Sequence, residues 1–343
     1  MRVLFVSDHP HLPQVRGGLQ TTTHDLCLAL RGMGAEAAVL CGRVDPHAAP
    51  MLADAVDTDA SLGYPVMRAS APQDALAGVA DTWNASVVVV QSGTALAPMV
   101  AASLRSGRPT AVYLHNVEIH QVRGHLVPDP SLLYLANSDF TAQRWRVLCG
   151  LQCTVVPPLV RADAYRASRS GDSVFYVNPV PVKGVELMFA LAARCRDLPF
   201  LVLESWRMQA PFRALCRHRA QQLGNITWRE PTDDMRAVYA QARMVLMPSV
   251  WEESFGRTVI EAQVNGLPVL ASNRGALPQL VGDAGITLDP HAPIATWEDA
   301  LRRLYAADAP WRAASRAQGE AYAASAPMIV ADFVSLLAAH AAR

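Results

Sequence analysis

The chain has 343 residues, 51% of them apolar and 17% charged, and its 30 Lys and Arg balance 30 Asp and Glu. That length predicts two domains of ~100–200 residues each; the apolar content excludes a disordered chain, and a zero net charge argues against a dedicated nucleic-acid binder. No apolar run approaches the ~20 residues that span a bilayer, Val3–Val6 is too short for a signal-peptide core, and six scattered cysteines read as reduced thiols of a cytoplasmic protein.

Along the chain, apolar runs of strand length alternate with amphipathic stretches, the pattern of βα units around a parallel sheet. A first set of runs is Val3–Val6, Ala37–Leu40, Ser86–Val90, Thr110–Leu114, Leu132–Ala136 and Thr154–Val156. Between the first two, Leu19, Leu26, Leu28 and Leu30 predict a helix over Gly18–Met33, with Gly32 or Gly34 as its stop. Pro157-Pro158 and the polar stretch to about Asp172 read as a linker. The rhythm resumes with Ser173–Val177, Phe200–Leu203, Ile226–Trp228, Met244–Met247, Val269–Ala271 and Ile286–Leu288. Beyond Pro290 the chain is helical, with Trp297, Leu301, Leu304 and Tyr305 on one side. The expected domains are 1–160 and 170–325, with a terminal helix over 326–343 packing back toward the first. Two doubly wound α/β domains place ligands at strand carboxyl ends facing a central cleft.

The segment Met247–Ala271 reads strand, glycine-containing loop, helix, a stop at Gly266, and strand again. Ser254, Phe255, Gly256, Arg257 and Thr258 open its helix, where free amides and the positive dipole end favour an anion. Glu253 precedes that helix and Glu261 lies within it; eight residues of helix would separate them by ~12 Å and about two turns plus 80°, so they do not share one metal. Two carboxylates at different distances from a phosphate site suit the hydroxyls of an extended ligand. The chain contains one lysine, Lys183, in Tyr176-Val-Asn-Pro-Val-Pro-Val-Lys183-Gly184. A cation there, at the mouth of a strand and before a helix, is placed to neutralise a diphosphate.

These residues resemble the family 4 glycosyltransferases of the GT-B fold, marked by two glutamates with seven residues between them. Glu253 and Glu261 match the pair, with Pro248-Ser249 before it, Phe255-Gly256 inside it, and Asn265-Gly-Leu-Pro-Val and Asn273-Arg-Gly-Ala-Leu-Pro-Gln after it. The resemblance implies that Glu261 holds ribose hydroxyls, that Glu253 contacts the donor sugar and that Lys183, followed by Gly184, binds the diphosphate. It implies further that His115, after a strand of the first half, touches the donor sugar, so that Glu253, Lys183 and His115 form the catalytic set. Gly17-Gly18 matches the glycine-rich first loop, near donor phosphate or acceptor and counted among the donor-binding residues, and Asn137-Ser138 an architectural position. One departure stands out: Asn178-Pro179 replaces the family's Gly-Arg, so a second cation must come from elsewhere, with Arg257 the candidate.

The implied activity is metal-independent sugar transfer with retention of anomeric configuration. The co-substrate is a UDP- or GDP-sugar and the acceptor a glycan, a lipid-linked sugar or a small molecule, with no other cofactor and no nucleic acid. Peripheral contact with the inner face of a membrane stays open; Arg144-Trp145-Arg146 is the segment considered for it, packing with a solvated edge being the favoured reading. An epimerase or phosphorylase on the same fold, and a degenerate nucleotide-binding subunit, are the rival readings. Asp57-Thr58-Asp59, the Cys149 and Cys153 pair, and His115, His120 and His125 are set aside as metal sites for want of strand context or ligand spacing.

Overall fold

The computed structural model describes residues 1–44, 56–168, 171–306 and 308–343. The chain divides into two compact units, Met1–Leu159 with Pro327–Arg343, and Val160–Ala326.

Among the described residues the first unit is built on eight strands: β1 (Arg2–Val6), β2 (Glu36–Gly42), β3 (Asp57–Asp59), β4 (Val66–Ala69), β5 (Val87–Gln91), β6 (Thr110–Leu114), β7 (Leu132–Ala136) and β8 (Thr154–Val155). Their order is β3-β4-β2-β1-β5-β6-β7-β8. All pairings are parallel except that of β3 with β4 at the edge. Helices cover both faces, so central strands such as Val87–Val90 are fully buried runs. Two strands escape the sequence reading. β4 carries Arg68 in the middle of its run, and the arginine is buried because Asp59 and the Leu12 carbonyl accept from it at 3.3 and 3.1 Å. The Asp57–Asp59 triplet is the short edge strand β3, and one of its carboxylates is committed to Arg68.

The helix Asp139–Cys149 starts where Ser138 Oγ accepts the Thr141 amide and stops at Gly150 in the left-handed region. Trp145 is buried in it, its indole N–H donating to the Asn116 carbonyl at 2.8 Å. Arg144 and Arg146 flank it in solvent, so this segment is packing with a solvated edge.

The terminal helix Asp308–Ala341 contains Pro327. By length and composition its stretch Ala309–Ala341 is long and apolar enough to cross a bilayer. This corrects the expectation that no apolar run approaches that length; the alanines, individually only weakly apolar, hid it. Beyond Pro327, Ile329, Val330, Phe333 and Leu337 are buried along one stripe. Phe333 stacks on Phe5 at 6.0 Å, and His340 Nε2 donates to the Thr110 carbonyl at 2.9 Å, so this stripe is part of the first unit's core.

Among the described residues the second unit holds six parallel strands: β9 (Ser173–Val177), β10 (Phe200–Leu203), β11 (Ile226–Arg229), β12 (Ala242–Met247), β13 (Val269–Ser272) and β14 (Gly285–Leu288). Their order, β11-β10-β9-β12-β13-β14, is that of a dinucleotide-binding sheet, which reverses direction between its first and fourth strands. Chain connections leave β9 and β12 on opposite sides there, and the crevice at their carboxyl ends is where such sheets bind ligands. The stretch expected as a linker is corrected in part: Val160 and Tyr165 are core residues of this unit, while residues 169 and 170 lie outside those described. Trp297, Leu301 and Leu304 are fully buried, as their spacing predicts.

Phe333 closes the first unit from a segment distant in sequence. Phe333→Ala should therefore cost about 3–5 kcal/mol, read as a lower urea midpoint for the full chain. An unchanged midpoint would mean that the terminal stripe adds nothing to that core.

Candidate functional site at the carboxyl ends of β9 and β12

The loop after β9 is held by its own backbone. Asn178 takes a left-handed φ of 62°, and the Val180 amide folds back on its carbonyl at 2.7 Å. A single 3-10 turn, Pro181–Lys183, then ends at Gly184. The buried Tyr176 hydroxyl lies 3.2 Å from the carbonyls of both Asn178 and Lys183, which fixes the two ends of the loop to the strand below. Asn178 Oδ1 accepts the Trp206 amide at 2.8 Å, tying the loop after β10 to the same place.

The loop after β12 locks onto this one. The amides of Val250 and Trp251 donate to the Val182 carbonyl at 3.0 and 3.3 Å. Gly184 sits so close that a Cβ would lie 1.9 Å from the Pro248 carbonyl oxygen, and its φ of +77° is one that L side chains rarely adopt. From the other side the loop after β13 closes in. The Ala276 amide donates to the Glu253 carbonyl at 2.8 Å, and a Cβ on Gly275 would lie 2.1 Å from that oxygen. The glycine of Asn273-Arg-Gly-Ala is thus there for a backbone contact with Glu253.

These loops bring Lys183 and Glu253 together. Lys183 Nζ donates to the two Glu253 carboxylate oxygens at 2.6 and 2.9 Å, and Ser249 Oγ donates to Oε1 at 2.5 Å. Glu253 is 7% exposed. Burial works against its charge most strongly, yet the Lys183 ammonium, the hydroxyl of Ser249 and the Trp251 indole outweigh it and hold the carboxyl below its ordinary range. Glu253 therefore stays ionised at neutral pH. Trp206 and Trp251 lie against the ammonium, their ring centroids 4.9 and 4.7 Å from Nζ.

Glu261 lies one step further along. It is 8% exposed on the helix Arg257–Gln263, whose N-cap Gly256 has a φ of 106°. Tyr239 donates its hydroxyl to Glu261 Oε2 at 2.8 Å; burial, then the neighbouring carboxylate, push that phenol well above its usual range. Arg257 Nε is 3.7 Å from Glu261 Oε1, and its Nη2 donates to the Tyr165 hydroxyl at 3.3 Å. Phe255 turns its ring into the core beside Tyr322, so what it offers a ligand is backbone. Ser254 and Thr258 are half-buried.

His115, Gly17 and Gly18 belong to the first unit. His115 follows β6, 5% exposed, its ring 4.0 Å from that of Tyr113 and its backbone amide on Ser92 Oγ at 2.8 Å. Gln91 Nε2 lies 3.4 Å from its Nε2, and Asn137 Nδ2 donates to its carbonyl at 3.3 Å. Asn137 thus supports the histidine, in keeping with an architectural position. Gly17 is extended and caps the helix Gly18–Gly32, so no left-handed backbone requires the pair. Among the described residues no three His, Cys, Asp or Glu side chains converge as a metal site.

Sequence reasoning missed Trp206, Trp251 and Tyr239. Trp251 stands two residues before Glu253, but its meeting with Lys183, like the placing of Trp206 and Tyr239, comes only from the sheet order. The interlocking loops also generate a prediction. Gly184→Ala places a Cβ against the Pro248 carbonyl at a left-handed φ and should cost about 2–4 kcal/mol, visible in urea unfolding. A variant as stable as the parent would show that the two loops are not in contact.

Comparison with known proteins places this geometry. Residues 175–307 match the family described as glycosyl transferases group 1. Over 95 residues the chain is 42% identical to the D-inositol 3-phosphate glycosyltransferase of Corynebacterium glutamicum, 26% of this chain and 22% of that protein. Over 93 residues it is 40% identical to the O-antigen chain mannosyltransferase B of Escherichia coli, 27% and 24% of the two chains. The chain thus matches less than a quarter of the length of these curated relatives. In fold, Anabaena HepE in complex with UDP and glucose superposes with a TM-score of 0.76 at 16% identity, over 99% of this chain and 100% of that one. A glycosyltransferase of Rickettsia africae does so with a TM-score of 0.75 at 13% identity, over 99% and 98%. Residues 175–307 thus match the glycosyl transferases group 1 family, on a GT-B fold of two Rossmann-like units.

Proposed function

We propose that this protein is a glycosyltransferase that moves a sugar from a nucleotide-sugar donor to a glycan, lipid-linked or small-molecule acceptor, with retention of configuration and without a metal ion. The observation that carries this reading is the Lys183–Glu253 pair at the point where the second sheet reverses direction. An ammonium has three N–H donors. Two directions are occupied by Glu253, which leaves the third for a phosphate oxygen. The amides that open the helix Arg257–Gln263 have no intrahelical acceptor and supply further donors to the diphosphate. Glu261, steadied by Tyr239, takes the ribose hydroxyls, and Glu253 takes a hydroxyl of the donor sugar. The acceptor falls to the first unit, whose His115 and Gly17-Gly18 loop keep the donor-side roles that the resemblance implies.

In this reading the bond between the anomeric carbon and the diphosphate oxygen breaks while the acceptor oxygen bonds to the same face of that carbon. The departing phosphate takes the acceptor's proton. Charge growing on the leaving diphosphate meets Lys183 and fixed N–H dipoles already in place, which lowers the barrier without reorganisation. The UDP-bound state of Anabaena HepE on the same fold and the sugar-transferring names of both curated relatives support the donor class.

A thermal-shift screen against nucleotides and sugar nucleotides tests the reading. A ligand at a hundredfold excess over Kd stabilises by ~2.7 kcal/mol, and a UDP- or GDP-based ligand should do so; a panel with no stabilising member would contradict it. Glu261→Ala should then weaken binding of that nucleoside diphosphate by about 1.5–3 kcal/mol, whereas an unchanged affinity by calorimetry would take Glu261 out of the donor site. Activity should also persist in excess chelator. Loss that added metal restores would sink the metal-free mechanism.

A further inference from the structure

The protein's other well-packed tryptophans show what a purely structural indole looks like here. Trp145 and Trp297 are fully buried, and each donates its indole N–H to a backbone carbonyl, at 2.8 and 3.0 Å. Trp206 and Trp251 differ. Both are half-buried at the strand ends, they meet edge to face with centroids 5.8 Å apart at 70°, and both rings face Lys183 Nζ. Each is tied by its backbone amide to the lysine's own loop, Trp206 through Asn178 Oδ1 and Trp251 through the Val182 carbonyl. The ammonium is thereby enclosed by two π faces and one carboxylate.

We infer that Trp206 and Trp251 are positioning residues for Lys183, a two-indole cage that holds its ammonium for the donor diphosphate. This rests on the donor-site reading above. In that reading Glu253 has two tasks, as partner of Lys183 and as ligand of the donor sugar. A lysine restrained by Glu253 alone would loosen whenever the carboxylate turned to the sugar. The indole faces attract a cation without competing for its N–H donors, so the third donor stays aimed at the phosphate. In a chain whose other 29 basic residues among Lys and Arg are all arginine, this position keeps a compact ammonium that meets two crossed rings and a carboxylate at once.

The single lysine makes the test direct. Protein grown with lysine labelled with carbon-13 at Cε gives one side-chain methylene resonance. Ring currents from two indoles should move it upfield of free lysine, and Trp206→Leu or Trp251→Leu should each move it back. By calorimetry with UDP and GDP, Trp206→Leu should weaken the nucleoside diphosphate that binds by about tenfold. Trp206→Phe should restore most of that loss, and in a Lys183→Met background Trp206→Leu should change nothing further. Equal loss in both backgrounds would show that Trp206 acts on the ligand or the fold rather than through Lys183, and would overturn the inference. A wild-type resonance at the free-lysine position would overturn the cage itself, and this measurement needs no variant to fold. A ring-shifted resonance that neither UDP nor GDP perturbs would overturn the donor-site reading, and with it this use of the cage.

Discussion

A lysine and a glutamate from loops 70 residues apart in sequence meet at 2.6 Å, both side chains largely buried, and the second unit's strand ends are arranged around that meeting. Removing two charges from water is costly, and such a pair adds little net stability. Breaking it by deleting one partner leaves a buried charge and costs about 3–5 kcal/mol. The surroundings meet that constraint in detail. Ser249 satisfies one carboxylate oxygen, two indoles cover the ammonium, and two glycines let the neighbouring backbones approach within contact of Pro248 and Glu253. A pair retained at this cost, at the reversal point of a Rossmann-type sheet, is better explained by ligand chemistry than by stability.

The departure at Asn178-Pro179 becomes intelligible in the same terms. Asn178 adopts a left-handed φ, which asparagine tolerates far better than most residues, and its side chain anchors Trp206. The position thus supplies an anchor where the related enzymes' pattern supplies part of a cationic pair. Arg257, the candidate replacement, is engaged with Glu261 and Tyr165. The geometry therefore assigns it first to orienting the Glu261 carboxylate.

Much of this fold was legible in the sequence because parallel strands buried on both faces are continuous apolar runs, such as Val87–Val90 and Phe200–Leu203. β3 and β4 were not, since one is an edge strand of two aspartates and a threonine and the other hides a buried arginine whose partner lies nine residues away. The apolar character of the terminal helix was diluted among alanines. At the candidate site, the solitary lysine, the helix start and the family resemblance singled out Lys183, Glu253 and Glu261, and the structure brings the first two into contact. Trp206, Trp251 and Tyr239 were not legible, because what selects them is the lateral order of strands, which no local pattern encodes. The same holds for Gly275, whose role is a contact with the Glu253 carbonyl from a different loop.

The central claim is that the strand ends of the second unit hold a nucleoside diphosphate through Lys183 and Glu261. A crystal structure of the full chain grown with UDP or GDP examines it most directly. The account predicts a diphosphate oxygen within hydrogen-bond distance of Lys183 Nζ, amides of residues 256–258 on the same phosphates, and ribose hydroxyls on the Glu261 carboxylate. A nucleotide bound elsewhere on the molecule, with the Lys183–Glu253 pair undisturbed and its third donor facing solvent, would contradict it.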